Sequence, residues 1–160
     1  MFKAALIATV AVATQEFQYG VDGTFPDPPA DGDTMTFVPY EPTNIKVPGM
    51  FTLDMSQTVA SPDPPHTATT ENFTIAGISK MPMTVAGVRF QCWLYGAPAY
   101  NESFAPDAGN ENITPGTEWK QSIPFDVPGV APKTTYDIQV CAEDSTQTPL
   151  FCMRTAFKFE

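Results

Sequence analysis

Basic residues and histidine are scarce in this sequence of 160 residues. Eight Lys and Arg stand against 18 Asp and Glu, and the formal net charge of −10 excludes a nucleic-acid partner, which would require a basic face. The one histidine, His66, lies in the proline-rich segment SPDPPHTAT, without the nucleophile or oxyanion motifs that a Ser-His-Asp or Cys-His site needs. We therefore expect an exposed loop histidine, and a binding protein that is not an enzyme.

Common metal and cofactor motifs are missing as well. The three cysteines form no C-x-x-C pair, so zinc and thioredoxin-like chemistry have no support. The DGD at residues 31–33 lacks the spacing of a calcium-binding EF-hand, and there is no glycine-rich phosphate loop. We expect no metal and no cofactor.

The N-terminus has the form of a secretory signal peptide over residues 1–15. One lysine precedes an apolar run over residues 4–13, which is too short to span a membrane, and cleavage is expected after residue 13, 14 or 15. Three N-x-S/T sequons agree with a secretory route, at Asn72, Asn101 and Asn112. The expected location is therefore secreted or the endolysosomal lumen.

Seventeen prolines and ten glycines separate short apolar runs, as in an all-β protein. TMTFVPYEP predicts a short edge strand broken by Pro39, PGMFTLDMSQTVA a half-buried strand, and ENFTIAGISK a strand with a bulge at Gly77. TVAGVRFQCWLYG is the longest candidate strand. The segment APAYNESFAPDAGNENITPG, which carries Tyr100 and Phe104, is expected to be a long polar loop.

Three more strands follow in EWKQSIPFDVP, KTTYDIQVCAE and PLFCMRTAFKFE. The pattern predicts an immunoglobulin-like antiparallel β-sandwich of about seven to nine strands, occupying residues 34–160. A Pro/Gly-rich arm over residues 16–33 precedes it. The elbow PGVAPK, between the first two of these strands, is expected to carry the chain stiffly across to the strand that begins near Thr134.

Strand alternation decides which cysteines pair. In TYDIQVCAED, Cys141 lies on the face opposite Tyr136 and Val140, and in LFCMRTAFKF, Cys152 likewise lies opposite the apolar set. Two outward cysteines on strands joined by a turn fit a cross-strand disulfide between Cys141 and Cys152. Cys92 lies on the inward face of VRFQCWLYG and is expected to be a buried free thiol.

The C-terminal third resembles the ML (lipid-recognition) family of secreted domains. The resemblance rests on IPFDVPGVAPKTTYDIQV (residues 123–140) and PLFCMRTAFKF (149–159), with looser support from VPGMFTLDMS and NFTIAGISK. The family includes Niemann–Pick-type sterol carriers, mite allergens and phosphatidylglycerol/phosphatidylinositol transfer proteins. Its members usually tie the cysteine equivalent to Cys152 to one near the mature N-terminus, which this chain lacks.

The resemblance implies a lipid or sterol held between two splayed sheets, with a mouth formed by Met81 and Met83, the segment over residues 100–104, and the surroundings of Trp119. An extracellular structural or adhesion module, with protein partners in a larger assembly, is the alternative. The residues expected to bind the lipid, either because they face inward or because they belong to this mouth, are Phe51, Leu53, Met55, Phe73, Ile75, Met81, Met83, Val88, Phe90, Leu94, Tyr100, Phe104, Trp119, Ile123, Phe125, Tyr136, Ile138, Phe151 and Met153.

Overall fold

The computed structural model describes residues 25–30 and 33–159, and within them every regular element is a β-strand. The predicted signal peptide therefore lies outside the described residues. No helix long and apolar enough to cross a membrane occurs in the described ranges. The strands are β1 (Phe37–Tyr40), β2 (Phe51–Leu53), β3 (Val59–Ser61), β4 (Thr70–Ser79), β5 (Met83–Thr84), β6 (Gly87–Leu94), β7 (Ala97–Phe104), β8 (Asn112–Ile113), β9 (Glu118–Asp126), β10 (Thr135–Glu143) and β11 (Pro149–Lys158).

Nine of these strands form two antiparallel sheets. The first sheet has the order β1-β11-β10-β6-β7. In the second, β2 and β3 pair with successive parts of one edge of β4, and β9 pairs with its other edge. The remaining two, β5 and β8, make a separate two-residue ribbon. This architecture confirms the predicted all-β sandwich.

Aromatic side chains fill the space between the two sheets. Phe73 of β4 lies 5.3 Å, between ring centroids, from Phe90 of β6, and Phe51 of β2 stacks on Phe151 of β11 at 3.6 Å. β9 alternates strictly, with every second side chain from Trp119 to Phe125 buried. Burial of these rings provides much of the hydrophobic stabilisation of the sandwich.

Gly77 lies within regular pairing, so the bulge predicted there is wrong. It is opposite Leu53 of β2 and Trp119 of β9, and neither ladder shifts its register at that point. A Cβ on Gly77 would lie 2.3 Å from the carbonyl oxygen of Thr52 and 2.4 Å from the ring of Phe51. The glycine is there because the backbone and a ring approach it closely.

The segment expected to be a long polar loop contains strand β7. It pairs with β6 through a hairpin whose two loop residues, Tyr95 and Gly96, have φ values of 52° and 73°. Positive φ at both positions is the geometry of the type I′ turn, which matches the twist of the flanking strands. Polar side chains concealed this strand because it is an edge strand with little burial.

The outer face of the first sheet carries a second layer of packing. Cys141 and Cys152, directly opposite each other on β10 and β11, form a disulfide and pack with Tyr40, while Cys92 is free and buried. The guanidinium of Arg154 lies over the ring of Tyr40 and over that of Phe25, which belongs to the predicted arm. The pairing is the one that strand alternation predicts.

Candidate ligand-binding site

A cavity of about 550 Å³ lies between the two sheets where edge strands β7 and β9 face each other. Strands β6, β7 and β10 of the first sheet and strand β9 of the second contribute lining residues. The lining residues are Cys92, Leu94, Ala99, Tyr100, Glu102, Phe104, Pro124, Phe125, Asp126, Pro128, Pro132 and Tyr136. The volume is within the range of small-molecule binding sites.

The cavity is elongated along β7. Its lining positions on that strand extend from Ala99 to Phe104, which corresponds to about 16 Å of strand at the usual rise per residue. Most of the other lining side chains are apolar or aromatic. A slot of this shape suits an extended hydrocarbon chain better than a compact polar molecule.

Two rings that line the cavity, those of Phe125 and Tyr100, pack on each other and on Phe90 of the core. Phe125 stacks on Phe90 at 4.9 Å, and the ring of Tyr100 lies 5.5 Å from Phe125 and 5.7 Å from Phe90. Phe73 packs behind Phe125 at 6.5 Å, so the wall continues directly into the core. Stacked and edge-to-face rings of this kind resist rearrangement, which keeps the cavity open.

Cys92 lines the cavity as a neutral thiol. Burial, with a smaller contribution from the negative charge of Asp137, raises the pKa of Cys92 to about 12. Because the thiolate is the nucleophilic form, the side chain acts as a small apolar group at physiological pH.

The proline elbow crosses between the sheets and contributes to the lining of the cavity. It connects β9 of the second sheet to β10 of the first, and Pro128 and Pro132 both line the cavity. The hydroxyl of Tyr136 donates to the carbonyl of Pro132 over 3.2 Å, and burial raises the pKa of Tyr136 to about 12. The neutral phenol therefore fixes the elbow against the start of β10.

Two carboxylates stand at the rim, one from each edge strand. Glu102 of β7 accepts a hydrogen bond from the Tyr100 hydroxyl, and Asp126 of β9 accepts one from the Thr70 hydroxyl over 2.7 Å. Burial raises the pKa of Tyr100 to about 12, with further contributions from the Glu102 hydrogen bond and the charges of Glu102 and Asp126. Both carboxylates therefore act on the hydroxyl of Tyr100, whose side chain lines the cavity.

The structure divides the predicted lipid-binding residues among five locations. Leu94, Tyr100, Phe104, Phe125 and Tyr136 line the cavity, whereas Phe51 and Leu53 are only partly buried against the core. Nine others fill the packed core and are not among the residues that line the cavity: Phe73, Ile75, Val88, Phe90, Trp119, Ile123, Ile138, Phe151 and Met153. Strand alternation shows which side chains point between the sheets, but it does not show whether those side chains fill a packed core or line a cavity.

Met55 was expected to line the cavity and is instead 45% exposed. Strand β2 ends at Leu53, and Asp54 folds the chain into a turn by accepting hydrogen bonds from the Ser56 backbone and hydroxyl. The alternation over PGMFTLDMSQTVA is therefore interrupted, and two short strands replace the one predicted.

The parts of the predicted mouth do not line one cavity. Met81 and Met83 line a separate cavity of about 270 Å³ together with Lys46 and Asp144, beyond the end of β10 opposite to Tyr136. Trp119 is buried, and its indole nitrogen donates to the carbonyl of Asn110 over 2.9 Å. The observed rim is formed by β7, β9 and the elbow.

Sequence reasoning missed Ala99, Glu102, Asp126 and the cavity-lining prolines. The two-residue Tyr95-Gly96 turn could have revealed β7 and with it the first two of these residues. His66 is exposed in its loop, as expected. The sequon residues Asn72 and Asn112 are exposed and Asn101 is partly buried, and their glycosylation stays a prediction.

Comparisons with known proteins found likeness in structure alone. No family model matches the chain, and no curated protein matches its sequence. Among solved structures, it is similar to a crystal structure of a Niemann-Pick type C2 protein from Japanese carpenter ant, with 12% identity and a TM-score of 0.43. That likeness covers 86% of this chain and 99% of the other. At this level it does not establish a family, so the function is argued from the cavity.

Proposed function

We propose that this chain is a binding protein that carries a lipid or sterol in the cavity between β7 and β9. The observation that supports it is an elongated, largely apolar space of about 550 Å³ that opens between two edge strands. Catalysis is not part of the proposal, because the cavity contains a neutral thiol and no histidine. An oxidising compartment, secreted or lumenal, is compatible with the Cys141–Cys152 disulfide.

Apolar burial is sufficient to drive such binding. Each buried methylene contributes about 0.8 kcal/mol, so ten methylenes give roughly 8 kcal/mol before the cost of ordering the chain. Without that cost, this amount would correspond to a dissociation constant of about a micromolar. The lining rings of Phe125 and Tyr100 are already packed on each other and on Phe90 behind them, so little further ordering of the protein is needed.

Filling the cavity is expected to abolish most of the binding. Ala99 lines it, and a tryptophan there would occupy the volume that the ligand needs. We expect Ala99→Trp to weaken binding of the neutral fluorescent probe N-phenyl-1-naphthylamine by about tenfold or more, which is ~1.4 kcal/mol. Fluorescence titration measures the dissociation constant, and thermal unfolding checks that the variant is folded.

The matched control is Ala108→Trp, which adds the same side chain at an exposed loop position away from the cavity. It should bind the probe as the wild type does. Equal affinities for the Ala99→Trp variant and the wild type, or no saturable binding by the wild type, would count against the proposal.

A further inference from the structure

Both charged side chains that line the cavity are acidic. Glu102 and Asp126 approach the slot from its two sides, and none of the twelve lining residues is lysine, arginine or histidine. Both carboxylates are exposed. Across the chain, the net charge of −10 adds to this local field.

Neither of these carboxylates belongs to an ion pair within the described residues. The ion pairs there join Lys46 to Asp144 and Arg89 to Glu143, and neither involves a rim carboxylate. The hydrogen-bond partners of the rim carboxylates are the neutral hydroxyls of Tyr100 and Thr70. The rim therefore presents negative charge to whatever occupies the slot.

We propose that the ligand is an amphiphile with a cationic polar end, an alkylammonium group, whose hydrocarbon chain fills the slot. This inference rests on the proposed function. The aromatic inner wall suits the chain, and the polar end then lies at the rim, between Glu102 and Asp126. The ring of Tyr100, which also lines the cavity, offers a face for the cation.

The charges predict an order of affinities. One unit charge about 4 Å from another, in water-like surroundings, changes an equilibrium roughly fivefold, and salt weakens the effect. With two carboxylates at the rim, we expect an ammonium to bind about tenfold tighter than an alcohol of the same chain length. A carboxylate should bind about tenfold more weakly than the alcohol. Both ratios should shrink towards one as salt is added.

The test measures dodecylammonium, dodecanol and dodecanoate as competitors of N-phenyl-1-naphthylamine on the full chain, at low salt and at about 150 mM salt. The double variant Glu102→Gln/Asp126→Asn removes the rim charges and is expected to bring the three affinities within about threefold of one another. The matched control, Glu118→Gln/Asp107→Asn, removes the same number of negative charges, but at exposed positions that do not line the cavity. It should keep the order of affinities.

The outcomes distinguish this inference from the proposed function. If the probe does not bind, and none of the three compounds binds either, the proposed lipid-carrier function is contradicted. If all three bind equally, or dodecanoate binds tightest, the carrier stands and the cationic ligand is overturned. If the control variant loses the order as fully as the rim variant does, overall charge is responsible and the assignment to Glu102 and Asp126 fails.

Discussion

Between pH 4 and pH 8, the wild-type protein is expected to lose about 3 kcal/mol of unfolding free energy that a Glu71→Gln variant keeps. Glu71 is on β4 opposite Phe125, with 0% of its side chain exposed. Neither of its carboxylate oxygens has a hydrogen-bond partner within the described part of the chain. Burial, reinforced by the negative charge of Asp63, raises the pKa of Glu71 from 4.5 to about 7.

The direction of the effect follows from proton binding. Between pH 4.5 and 7 the folded protein holds a proton on Glu71 that the unfolded chain releases, so rising pH favours unfolding over that window. Stability is full below about pH 4.5, declines up to about pH 7 and then stays level with respect to this group. Glutamine has no proton to lose, so the variant lacks this decline.

Urea unfolding at pH 4, 6 and 8 measures the difference. Glu118→Gln, at an exposed position of β9, is the control and should follow the wild type at every pH. The interpretation is contradicted if Glu71→Gln differs from the wild type by the same amount at pH 4 and at pH 8.

Arg89→Met is expected to destabilise the protein by about 3 kcal/mol or more at pH 7. The Arg89 Nε atom lies 2.5 Å from Glu143 Oε1, and the two side chains are only 11% and 4% exposed. Arg89 also donates to Asn101 of β7 over 3.1 Å. Burial raises the pKa of Glu143 despite the opposing effect of Arg89, so removing the arginine would leave a buried carboxylate without compensation.

Two variants isolate the cause in the same unfolding experiment. Lys46→Met breaks the pair with Asp144, but Lys46 is 53% exposed, so the expected loss is less than about 1 kcal/mol. The double variant Arg89→Met/Glu143→Met removes both charges and should recover most of the loss caused by Arg89→Met. Equal losses from Arg89→Met and Lys46→Met would show that burial does not control the energy of these pairs.

Much of the fold was predictable because alternation reports which face of a strand is buried. It placed Cys141 and Cys152 on one face of adjacent strands, and the disulfide joins them. The proline elbow was recognisable as a crossing, because prolines cannot donate to a sheet ladder. Strand β7 was missed because an edge strand beside a cavity needs few apolar side chains.

The cavity was less predictable because it depends on separation between sheets, which no local pattern encodes. Phe90 and Phe125 both face inward, yet only Phe125 lines the cavity, while Phe90 packs behind it. Glu102 and Asp126 are 24 positions apart (126 − 102) and meet only because both edge strands border the same opening. Glu71 shares the inward face of Phe73 and Ile75, yet its burial was not predicted, because glutamate is almost never fully buried without a partner.

The most direct test of the central claim is to locate a bound hydrocarbon chain by NMR. A dodecanol carrying a nitroxide on its chain broadens the resonances of nearby amides. The account predicts broadening at Leu94, Ala99 and Phe125, which line the cavity between β7 and β9, with Met83 and Thr84 of the separate cavity unaffected. Broadening centred on Met83 and Thr84, or none at saturating probe, would contradict a ligand site between the two sheets.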